Sequence, residues 1–248
     1  FNSTNMWSIA KKELHFYFSH LTGYLVLGSY LLINTLLLWF FDTPYQLLNS
    51  GFGDLSPFFE ISPWLLLILI PALSMRSFSE ERASGTLELL LTKPLRPIEI
   101  YGGKFLGITL ILLIALVPTT LNLIALNALI TPQSELDWGN FITSYLALFL
   151  VGLIFLTLSL CSSMWFRNQV TSFLVAVLLC FTQFFVWDFL ADLSSVTWVY
   201  KWISALGIQT HYSSLSRGVL QIEDLIYLLG LVVVFFILGI ELIKKEQV

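Results

Sequence analysis

Three histidines, two cysteines and one Glu-Glu-Arg string are the places in this sequence where chemistry can be sought. A zinc hydrolase needs a spacing such as His-Glu-x-x-His, which puts two imidazoles on one helical face. His15 and His20 lie near the N-terminus and His211 lies in a distant segment, so no such pair forms. Glu80-Glu81-Arg82 is the nearest approach to paired carboxylates. Membrane proteases of the CAAX type place their Arg three residues beyond Arg82, where this chain has Gly85. Cys161 and Cys180 sit inside apolar runs and read as small buried thiols, not as a disulfide framework. No Gly-rich phosphate loop ending in Gly-Lys-Ser/Thr is present. We therefore expect no catalytic residue, no metal and no cofactor bound by this chain itself.

The elements around these residues are set by solvent. Of 248 residues, 57% are hydrophobic and 11% charged, and the mean hydropathy is +0.84. A soluble domain carries roughly 25% charged residues, and a globule this poor in charge cannot cover itself in water. The composition excludes a soluble enzyme, a nucleic-acid binder and a disordered chain, and the net charge of −4 supplies no basic field. It fits an all-α integral membrane protein.

A helix needs roughly 20 apolar residues to cross a bilayer core. Six stretches qualify, at about 21–41, 58–78, 105–130, 139–165, 168–188 and 225–243. Pro71 and Pro118 fall inside the second and third, where kinks are tolerated if neighbours satisfy the freed carbonyls. A short outer turn is expected at residues 131 and 132. Residues 1–5 read as an upstream remnant before a single domain at 6–248. Ten of the twelve Lys and Arg residues fall on one side of this map, which makes that side cytoplasmic, with both termini inside. The outer segments are acidic, carrying Asp54, Glu135, Asp137 and Asp192 among others. All eight tryptophans fall near expected span ends, as membrane interfaces favour. No span carries a charge at its centre, which argues against an ion-coupled carrier or a channel acting alone.

Two segments are amphipathic without spanning. In residues 6–20, Trp7, Ala10, Leu14, Tyr17 and Phe18 share one face, while Lys11, Lys12 and His15 lie on the other. This predicts a helix in the inner interface that leads into the first span. Residues 77–104 balance their charges and place Ala83, Leu87, Leu90 and Leu91 in one stripe. Pro94 and Pro97 stop that helix, because proline disfavours the helical conformation in the residue before it. The stripe suits either a groove on another protein or the flank of the bundle.

The string Glu80-Glu81-Arg82-Ala83-Ser84-Gly85-Thr86-Leu87-Glu88-Leu89-Leu90-Leu91-Thr92-Lys93-Pro94, followed by Gly103-Lys104, resembles the cytoplasmic loop of ABC-2-type transporter permeases. Trp7-Ser8-Ile9-Ala10-Lys11-Lys12-Glu13-Leu14 resembles the same family's connecting helix. Residues 216–219 and 224–227 are similar to its ending. Gly23-Tyr24-Leu25-Val26, Pro63-Trp64-Leu65-Leu66 and Met75-Arg76-Ser77-Phe78-Ser79 look most like the gliding-motility-associated members of Bacteroidetes, GldF. The resemblance implies a six-span permease of a bacterial inner membrane. A connecting helix carries Trp7, Lys11, Lys12 and Glu13, and a coupling helix lies between spans 2 and 3. Short outer re-entrant helices fall between spans 5 and 6. It implies partners too: two copies of a cytoplasmic ABC ATPase that holds ATP and Mg, and a second permease subunit, identical or GldG-like. Membrane lipids surround the pair, and nucleic acid has no part. Glu81, Arg82, Gly85, Thr86, Leu87, Glu88, Leu90, Leu91 and Pro94 become the expected ATPase contact, on one helix over 80–91 with Leu87, Leu90 and Leu91 outward. The substrate-binding residues stay unknown. A scaffold that holds a partner without transport, and a secondary transporter, remain the rival classes.

Overall fold

Long apolar runs, broken only by proline pairs and polar turns, fold into helices in the computed structural model, which describes residues 3–47, 55–92, 95–129 and 137–247. Helix α1 (Ser3–Ser19) leads through His20 into α2 (Leu21–Thr35), which ends in a π turn at Leu36–Phe40. Helix α3 (Ser56–Ala83) is followed by the short α4 (Thr86–Leu91). Helices α5 (Pro97–Leu116) and α6 (Leu121–Leu129) are joined by a 3-10 turn at Val117–Thr120. Then come α7 (Trp138–Trp165) and α8 (Gln169–Phe181), with a π turn at Thr182–Val186 and α9 (Trp187–Asp192). Helices α10 (Thr197–Ser204), α11 (Ile208–Leu215) and α12 (Ile222–Gln247) complete the chain. Among the described residues no strand occurs, and six helical stretches are long and apolar enough to cross a membrane.

The helix ends follow from local chemistry. Asp137 and Asn168 accept the backbone N–H groups of Asn140 (3.1 Å) and Val170 (2.9 Å), opening α7 and α8. Glu99 reaches back to accept the Arg96 N–H at 3.0 Å at the start of α5. Pro118 interrupts span 3, and the hydroxyls of Thr119 and Thr120 take the carbonyls of Leu116 (2.6 Å) and Val117 (2.7 Å). Pro71 does not interrupt α3, whose Ser74 hydroxyl bonds the Ile70 carbonyl at 2.9 Å.

Several helices run beyond the expected spans. The helix of the second span runs from residue 56 to 83, because Arg76, Glu80, Glu81 and Arg82 continue the helix instead of ending it. The helix of the third span starts at Pro97, since the proline and the Glu99 bond to the Arg96 N–H begin a helix before the apolar run. The fifth reaches Asp192 and the last begins at Ile222. Helix α1 begins at Ser3, ahead of Met6. Residues 131 and 132, Asp54, Glu135, Lys93 and Pro94 lie outside the described residues.

Spans 2 and 4 form the core, with 67% and 72% of their apolar stretches buried, against 17% for spans 5 and 6. Phe58, Leu66, Ile70 and Phe78 of α3 pack with Leu148, Val151 and Phe155 of α7 in one cluster. Spans 5 and 6 leave most of their apolar surface outward, as a lipid solvent permits. Cys161 and Cys180 are buried free thiols.

Candidate functional site: a polar junction at one end of the bundle

Four of the seven ion pairs among the described residues gather where α1, the end of α3, α4 and the start of α5 meet. The approach of α1 to α5 is set by glycine. A Cβ added at Gly103 would lie 2.7 Å from the Ile9 Cβ and 2.9 Å from the Met6 carbonyl oxygen. One added at Gly107, a turn later, would lie 2.8 Å from the Glu13 Cβ. The missing side chains let the two helices touch by their backbones, as small residues do at helix contacts in membranes.

That contact delivers Glu13 to Lys104. The lysine is 1% exposed. Its Nζ lies 3.0 Å from Glu13 Oε1 and 2.9 Å from Glu81 Oε2, donates to the Ser77 carbonyl and sits 4.7 Å above the Phe78 ring. Lys12 adds a second cation at 3.2 Å from Glu81 Oε1. The buried ammonium of Lys104 is thus held between two shielded carboxylates from two other helices, which offsets the cost of burying it, while the exposed Lys12 neutralises the second carboxylate from the rim. Tyr17, one turn beyond Glu13, is 4% exposed. Burial first, and the Glu13 carboxylate second, push its phenol above the ordinary tyrosine range. Beside this network a cavity of about 220 Å³ is lined by Lys12, Phe16, Arg76, Glu80 and Glu81. Arg76 stacks 4.1 Å over Phe16 and pairs with Glu80 at 3.0 Å.

Helix α3 ends one turn later. Ser84 N–H bonds the Glu80 carbonyl at 3.0 Å, and Gly85 takes φ +73°, a left-handed conformation that costs L side chains energy. The Thr86 hydroxyl bonds the Glu81 carbonyl at 3.3 Å, and α4 starts in a new direction. The single helix expected over 80–91 is therefore corrected to two, because Gly85 reverses the backbone instead of sitting inside a helix.

The apolar stripe is corrected as well. Leu87 is 7% exposed and joins the core, and Leu90 and Leu91 pack half-buried against it. The outward edge is Ala83, Ser84, Gly85, Thr86, Glu88 and Leu89, the last 66% exposed. Leu89 was missed because it lies off the helical stripe, on the side a stripe argument assigns to solvent. On α1, Glu13 and Lys12 join the network, while Lys11 is exposed and Trp7 is 57% exposed, off the packed face it was expected to share.

Arg82 ties two further helix ends to that of α3. Its guanidinium donates to the Met164 carbonyl at the end of α7 and pairs with Glu246 near the end of α12. Around them is a cavity of about 710 Å³ lined by Arg82, Gly85, Glu88, Trp165, Arg167 and Glu246. So the N-terminal helix, the connections after spans 2 and 4, and the end of span 6 occupy one end of the bundle. No group of three or more His, Cys, Asp or Glu suited to a metal is found among the described residues.

The fold and this junction define a class: a multi-pass helical membrane protein whose polar helix ends are fastened together on one side. A family model described as ABC-2 family transporter protein matches residues 8–248, and the chain belongs to that family, whose members are membrane components of ABC transport systems. No match is found among curated proteins.

Proposed function

We propose that this chain is the permease subunit of an ATP-driven complex in a bacterial inner membrane, with ATP and Mg held by a separate ATPase. The junction of Lys104, Glu13 and Glu81 is the observation that carries this reading. A force applied at α4 would pass through the short Ser84–Gly85 turn and the buried Leu87 to α3, and from there to α5 and α1 through one buried ionic knot. The docking edge would be Ser84, Gly85, Thr86, Glu88 and Leu89, beside the cavity that holds Arg82 and Arg167. Under this reading that end of the bundle is cytoplasmic, as the Lys and Arg distribution favours. A second permease subunit, a copy of this chain or a GldG-like relative, would complete the membrane part. The gliding-type segments favour a motility- or secretion-linked process over a dedicated nutrient exporter.

Affinity purification in mild detergent tests the proposal. An ABC ATPase should co-purify, and its turnover in membranes should depend on this chain. Purification without any ATPase, from cells where every ABC ATPase is intact, would sink it and favour the scaffold reading.

A further inference from the structure

The opposite end of the bundle carries a cavity of about 410 Å³ between α3, the π turn of span 5 and α11. Its lining includes Glu60, Trp64, Phe184, Gln209, Tyr212 and Arg217. We propose that it binds a small zwitterion, an ammonium joined to an acidic group such as a phosphate ester.

The walls are rigid and aromatic. Tyr212 is 5% exposed and its hydroxyl donates to the Phe59 carbonyl at 2.5 Å, fastening α11 to α3. The Ser144 hydroxyl holds the Ser216 carbonyl at 2.9 Å from the α7 side. Phe184 lies within the π turn, packs edge-on to Trp64 at 5.4 Å and approaches Tyr212 at 6.4 Å. A π turn costs backbone regularity and is frequently found at functional sites.

The polar groups have opposite signs. Glu60 and Arg217 are both exposed toward the opening, and neither forms an ion pair among the described residues. The Gln209 amide oxygen is buried without a hydrogen-bond partner and so calls for a donor. An ammonium beside a carboxylate and aromatic faces gains charge pairing and cation–π attraction. An acidic oxygen on Arg217 gains a charge-assisted bond. A bare metal ion leaves Arg217 unused and a fatty acid leaves Glu60 unused, whereas a zwitterion uses both. The volume is of the size that holds a small ligand. The site is independent of the ATPase reading, because binding needs only this chain.

The test is calorimetry on the full chain in nanodiscs of phosphatidylglycerol alone. The probes are phosphoethanolamine, dihexanoyl phosphatidylethanolamine, ethanolamine and inorganic phosphate. Binding of both zwitterions assigns the site to the head group itself, and binding of the lipid alone assigns it to a membrane source; each supports the proposal. Glu60→Gln and Arg217→Gln should each weaken binding by about tenfold or more, the loss expected for one charge-assisted bond. Arg167→Gln, at the other end, should bind as the parent does. The proposal is overturned if neither zwitterion binds, if ethanolamine or phosphate binds as tightly, or if both cavity variants keep the parent affinity. Both substitutions are at exposed positions, and an unchanged unfolding profile without ligand confirms the fold.

Discussion

Lys104 and Glu13 lie 91 positions apart in sequence and 3.0 Å apart in space, both nearly shielded from solvent. That pair, with Glu81 as its third member, makes the N-terminal helix part of the bundle instead of an appendage on the membrane surface. Removing one partner of a buried ion pair costs about 3–5 kcal/mol, because the other charge stays buried. Lys104→Met should therefore lower the unfolding midpoint in detergent more than Lys12→Met, whose ammonium is exposed. Combining Lys104→Met with Glu13→Gln should recover part of the loss. Equal midpoints for the two lysine variants would mean that the knot carries no stability.

Gly85 predicts a backbone effect. Its φ of +73° is a conformation that costs an L residue about 1–2 kcal/mol. Gly85→Ala should destabilise by about that much, while Gly85→Asn, which tolerates the left-handed region, should cost less. Were α3 and α4 one helix, Ala would instead stabilise by about 1 kcal/mol. Unfolding curves for the two variants decide the sign.

Leu87 and Leu89 separate packing from docking. Leu87→Asp puts a carboxylate into the core, so it should reduce folded yield and lower the unfolding midpoint. Leu89→Asp should leave both unchanged and reduce ATPase co-purification, since truncating or charging a central interface anchor costs more than about 1 kcal/mol. Retention of the full ATPase complement by Leu89→Asp would show that this edge is not the docking surface.

The glycine contact predicts a clash. Gly103→Leu should displace α1, because even a Cβ there meets Met6 and Ile9 below 3.0 Å. Faster trypsin cleavage at Lys11 and Lys12 would report it. Gly28, with open space around its Cβ position, is the control, and Gly28→Ala should cleave as the parent does.

Topology can be read by thiol labelling, since Cys161 and Cys180 are buried and contribute little background. Cysteines at Ser84 and Arg167 should react with an impermeant reagent only after the membrane is breached. One at Asp137 should react in intact spheroplasts. The reverse pattern would invert the assigned orientation.

The number of spans and the helical class were legible from apolar run length alone, since a bilayer demands roughly 20 apolar residues whatever surrounds them. Trp138–Trp165 was legible almost to the residue, because Asp137 caps it and the backbone turns extended at Phe166, just before the charge of Arg167. The charged helix ends were not. A hydropathy run stops at Arg76, whereas the hydrogen-bonded helix runs on to Ala83, where Gly85 turns it. The leucine stripe of the 80–91 segment told which residues are apolar but not whether bundle or partner covers them. Only the tertiary structure decided that Leu87 faces inward and Leu89 outward. Lys104 reads in sequence as a lone cation at the edge of an apolar run. Its carboxylates come from positions 13 and 81, and nothing local foretells a pairing that depends on how close two glycines let a distant helix approach.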